Sequence, residues 1–108
     1  MITDEEIERA LAWMVANADK AAKARADRLF IEESLKPIKS KLMKLSGQDS
    51  IGAQERDALA SPDYQTALDG FHAAVYEDER FRVLYKSAEA RIEAWRTLSS
   101  NNRAQGKV

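Results

Sequence analysis

Cysteine is absent from this chain, and proline, glycine and histidine are scarce, at two, four and one residues. Without cysteine there are no disulfides, thiolate zinc sites or cysteine nucleophiles. Gly47, Gly52, Gly70 and Gly106 match neither the phosphate-loop nor the dinucleotide-binding spacing. No apolar run approaches the ~18 residues of a membrane span. The first ten residues, MITDEEIERA, are acidic and do not read as a signal peptide, so the expected location is cytoplasmic. Net charge is −1, so bulk charge selects no partner. Aromatic residues make up 7%, so any core is built largely from small side chains. A thin core gains from dimerisation, so a homo-oligomer, with a dimer favoured, is expected.

What remains is a composition of long helices, with 44% hydrophobic and 32% charged residues. Thr3 and Glu6 form a T-x-x-E capping box, and Ile2 and Ile7 stand at the positions of a hydrophobic staple. Asp4, Glu5 and Glu6 complement the positive end of the helix dipole. The apolar stripe then runs Ile7, Leu11, Met14, Ala18, Ala21 at heptad-like spacing. It weakens over residues 24–28 and resumes as Ile31, Leu35, Ile38, Leu42, Leu45. Pro37 removes one amide donor and crowds the carbonyl of Glu33, so a kink, or a break with Ser34 capping a new start, is expected there. Gly47 is the expected C-terminal stop.

Asp49 or Ser50 can cap a short helix before Ser61-Pro62-Asp63 restarts the pattern. The next stripe is Tyr64, Leu68, Phe71, Val75, Phe81, Leu84, Tyr85, Ala88, Ile92, Trp95 and Leu98. Asp78 interrupts it where an apolar residue is due. At ~1.5 Å per residue this helix alone spans ~55–60 Å. The expected fold is all-α: an elongated antiparallel helical hairpin in one domain. Its parts are a kinked helix over about 3–46, a short helix over 50–60, a long helix over 62–100 and a polar tail over 101–108. Folding the long stretches together about the middle places Leu45 near Tyr64, Ile38 near Phe71 and Trp13 near Trp95.

Charge is segregated. Residues 50–79 hold one base against seven acids, net −6, and residues 80–108, counting Lys107, hold seven bases against two acids, net +5. Residues 34–48 carry four lysines and no acid, net +4. In the hairpin Lys20, Lys23, Arg25 and Arg28 come level with Arg80, Arg82 and Lys86. These seven are the candidate nucleic-acid contacts, through displacement of phosphate counterions. The ordinary alternative is a solvated face threaded with i, i+4 pairs. Trp13, Met14, Trp95 and Leu98 form a candidate interface near the open end, since tryptophan often anchors protein contacts. The alternative for them is a plug closing the bundle end.

Catalytic signals are weak. His72 has Asp69 three residues before it, but no nucleophile is paired with them. The carboxylate pairs lack the Glu-x-x-His motif of helical metal bundles, so no metal and no cofactor is expected. No small-molecule substrate is evident. The runs RLFIEESLK at 28–36, KLMK at 41–44, QERDALASPDY at 54–64 and ARIEAWR at 90–96 resemble small helical proteins of tailed bacteriophages and prophages. The resemblance covers about residues 28–103. It implies a non-enzymatic accessory role in DNA replication or recombination, by backbone contact with DNA or by binding a DNA-handling protein. The other reading is an interaction module, an inhibitor or adaptor that binds no nucleic acid.

Overall fold

A computed structural model describes residues 1–106. Lys107, counted above among the bases, and the last residue of the expected tail lie outside the described residues. The chain is an all-α helical hairpin of two long helices and one short one, and the described residues contain no strand. Helix α1 spans Asp4–Leu45, α2 spans Ile51–Ala60 and α3 spans Pro62–Gln105.

Capping chemistry sets the boundaries. The Glu6 amide donates to Thr3 Oγ1 at 3.1 Å, and the Ile7 amide opens the helical ladder on the Thr3 carbonyl. At the other end of α1, Gly47 takes φ +73°, the left-handed conformation that only glycine adopts without strain. Ser50 caps α2 by accepting the Ala53 amide at 3.1 Å. Ser61 accepts the Asp63 amide at 3.2 Å, and Pro62 occupies the first position of α3.

One expected boundary, the end of α3, is corrected, and of the two outcomes expected at Pro37 the break does not occur: the proline lies inside α1, which continues through it. Ser34 caps nothing; its hydroxyl donates back to the Phe30 carbonyl at 2.8 Å. The half-buried Ile31, Leu35, Ile38 and Leu42 flank the proline on both sides, so packing keeps one helix where one lost backbone bond would favour two. Helix α3 passes the Asn101-Asn102 stop and ends at Gln105, with Arg103 complementing the helix dipole in its last turn. Asparagine ends a helix well only when it turns left-handed, and no non-glycine residue among those described does so.

The packing divides into two compact units, Met1–Ala22 with Glu79–Val108, and Lys23–Asp78. In the first, here unit 1, the start of α1 runs antiparallel to the end of α3 around buried Ile7, Phe81 and Ala88. Its register differs from the expected one. Trp13 lies against Tyr85, with ring centroids 5.1 Å apart and a 56° tilt, and not against Trp95. The Tyr85 hydroxyl donates to the Met14 carbonyl, and Trp95 Nε1 donates to Asp4 Oδ1 at 2.7 Å. The pairing is therefore shifted by nearly three helical turns. The second unit, unit 2, contains α2 as a third helical layer. Ala58 of α2 is fully buried and Ala24 nearly so. Leu45, expected against Tyr64, is exposed.

Candidate functional site

The seven basic residues proposed for phosphate contact fall in different units. Lys20, Arg80, Arg82 and Lys86 belong to unit 1, and Lys23, Arg25 and Arg28 to unit 2. Lys23 pairs with Asp27 at 2.6 Å and Arg82 with Glu79 at 3.6 Å, both across one helical turn. The Arg80 guanidinium carbon sits 4.7 Å from the centroid of the Phe81 ring. Lys20, Arg25 and Lys86 are exposed. Exposed pairs such as Lys23–Asp27 are worth at most about 1 kcal/mol and are easily exchanged. Arg28 is different. It is half-buried and reaches Asp78 Oδ2 at 3.1 Å. Asp78 is 8% exposed and is the only buried charged residue among those described. Its appearance at an apolar position thus has a physical reason: it holds the counter-charge for Arg28, which is tied to that role within unit 2.

Trp13, Met14, Trp95 and Leu98 all fall in unit 1. Trp13, Met14 and Trp95 are half-buried and Leu98 is exposed. The two tryptophans do not form one cluster. Trp95 is held by Asp4, while Trp13 borders a groove of about 360 Å³ between α1 and α3. From α1 this groove takes Glu6, Arg9, Ala10 and Trp13, and from α3 it takes Leu84, Ser87, Ala88 and Arg91. Each bank therefore presents the i, i+3, i+4, i+7 set of one helix face, the spacing into which another helix packs. Ala10 and buried Ala88 keep the floor low. Trp13 and Leu84 form an apolar end, and Glu6, Arg9 and Arg91 a polar one. Two cations face one acid there, and neither arginine makes an ion pair with a described residue.

Unit 2 fastens its third helix by a similar chemistry. Lys39 of α1 donates to Glu55 Oε1 of α2 at 2.7 Å. That hydrogen bond raises the Lys39 ammonium above its ordinary value; desolvation opposes the rise, and the fields of Glu55 and Tyr64 add to it. Elsewhere, His72 and Asp69 are both exposed. No group of three histidines or carboxylates among the described residues has metal-binding geometry. No helix among them is long and apolar enough to cross a membrane.

Sequence reasoning found Trp13 but missed Arg9, Ala10, Ser87, Ala88 and Arg91. The i, i+3, i+4, i+7 spacing of both banks is visible in the sequence. Their juxtaposition depends on the true register, which is not. No protein-family model, curated protein or solved structure matches this chain.

Proposed function

We propose that this protein is a non-enzymatic accessory protein that works by binding another protein through unit 1. The observation that carries the reading is the groove between α1 and α3, open beside half-buried Trp13 and edged by two arginines without ion pairs among the described residues. Buried aromatic anchors with a charged edge are the usual make-up of a protein contact. The resemblance to small phage helical proteins points to a DNA-handling protein as that partner and to a cytoplasmic setting. Direct contact with DNA is less favoured, because Arg28 is held by buried Asp78 and the net charge of the chain is −1. The thin core favours a homodimer, which light scattering tests.

The experiment is fluorescence anisotropy of labelled single- and double-stranded DNA across a salt series. The expected result is no binding at physiological salt. Binding that weakens by roughly 10³-fold between 50 and 200 mM salt would overturn the reading in favour of contact with about six phosphates. Lys20, Arg25 and Lys86 would then be the first residues to change.

A further inference from the structure

Unit 2 holds three helical segments, and α2 is its third layer. That helix enters with a small residue, Ala58, fully buried, and it presents a carboxylate, Glu55, to a cation of α1. Unit 1 has only two helical segments. Its groove offers the same two features without an occupant from among the described residues. Ala10 and Ala88 lower the floor so that a helix backbone can come close, and Arg9 and Arg91 stand on opposite banks awaiting acids. Because the helices are antiparallel, with Trp13 level with Tyr85 and Asp4 with Trp95, Arg9 and Arg91 lie at nearly the same height. One helix lying in the groove can therefore reach both.

We propose that the groove of unit 1 binds an acidic amphipathic α-helix of a protein partner. The partner's apolar side chains rest on Trp13, Leu84 and the alanine floor, and its carboxylates, about one turn away, pair with Arg9 and Arg91. This is helix-in-groove recognition, with anchors at i, i+3 or i+4, and i+7. It rests on the protein-partner reading above and names the chemistry of that partner. The arginines suit the task because a guanidinium takes a carboxylate in two parallel hydrogen bonds and is weakly hydrated. Glu6, at the same end, disfavours a helix that carries acids beyond the two required, which gives the site a sense of direction.

The test uses a blocked, tryptophan-free helical peptide with leucines one turn apart and glutamates at the following turn, together with its Glu→Gln counterpart. Binding to the full chain is followed by ¹H–¹⁵N NMR, in which Trp13 and Trp95 provide two indole signals. The glutamate peptide is expected to move the Trp13 indole signal and leave that of Trp95, which does not line the groove. The glutamine peptide should bind about fivefold more weakly, as expected for two partly exposed ion pairs. The Arg9→Gln/Arg91→Gln variant should bind both peptides equally. Both arginines are exposed, so circular dichroism should show the variant folded.

Equal binding of the two peptides to the unaltered protein would overturn the proposal, as would an unmoved Trp13 signal or no binding. A Trp13 signal that shifts with protein concentration alone would overturn it too, because a second copy would then occupy the groove. None of these outcomes touches the protein-partner reading, which fails only if the salt series shows DNA binding.

Discussion

The two units of this molecule solve one packing problem in different ways. Unit 1 joins two helical segments around aromatic side chains, with Trp13 on Tyr85 and Phe81 buried near Arg80. Unit 2 joins three around buried Ala24 and Ala58, with Tyr64 and Phe71 half-buried, and then fastens them with ion pairs, Arg28–Asp78 and Lys39–Glu55. Two helices meet along a single seam and leave a groove on either side of it, and large rings widen the seam. A third helix covers a groove, and alanines at the contact let it come close. The two-layer solution therefore leaves binding surface open, and the three-layer solution uses it internally. Each unit holds four of the eight aromatic residues, so the number of helical layers, and not the number of rings, explains why the candidate site lies in unit 1.

The largest expected effect strikes the aromatic side of the contrast. Phe81→Ala removes a ring that is 5% exposed and should cost about 3 kcal/mol. Both tryptophans lie in unit 1, so the urea midpoint read by tryptophan fluorescence reports that unit directly. Circular dichroism reports all three helices. A midpoint that does not move would show that Phe81 is dispensable and that the Trp13–Tyr85 contact alone carries unit 1.

The polar side should respond next. Arg28→Ala leaves Asp78 as a buried charge without this partner. The usual penalty for breaking a buried pair, discounted because Arg28 is half-buried, gives about 2 kcal/mol. Replacing both residues, Arg28→Met with Asp78→Leu, should recover most of that loss, because neither charge is then left unsolvated. If the double variant is as unstable as the single one, Arg28 supports unit 2 through its packing and not through its charge.

Much of this contrast could be read from the sequence, but not its most useful part. The helix ends were legible because caps act locally: Thr3, Ser50, Ser61-Pro62 and Gly47 each do in the structure what their chemistry predicts. Pro37 left two outcomes open, and the single helix prevails because a local penalty of about 3 kcal/mol is smaller than the packing on either side of it. The pairing within unit 1 misled for a deeper reason. A stripe rich in alanine fits its partner nearly as well after a slide of several turns, so the few large rings decide the register. The sequence could not show that Trp13 would meet Tyr85. Because the groove exists only in that register, Arg9 and Arg91 read as ordinary surface charges. Asp78 was noticed as an irregularity, and its meaning waited on the position of Arg28.

The smallest effect is also the most specific to the three-layer unit. The Glu55 carboxylate holds the Lys39 ammonium above its ordinary value of 10.5, so the folded chain keeps this proton more tightly than the unfolded chain does. The stabilisation is complete below 10.5 and is lost as pH rises through the raised value. Other lysines deprotonate in the same range, so the informative quantity is the difference in stability between the protein and its Lys39→Met variant. That difference should stay level from pH 7 to about 10 and shrink above it. Glu55→Gln should abolish the pH dependence of the difference while leaving α2 helical, since Ser50 and buried Ala58 still hold it. A difference that stays level at every alkaline pH would mean that α2 is held by Ala58 alone. The fastening by charge would then be incidental, and the analogy between Glu55 on Lys39 and a partner's acids on Arg9 and Arg91 would lose its basis.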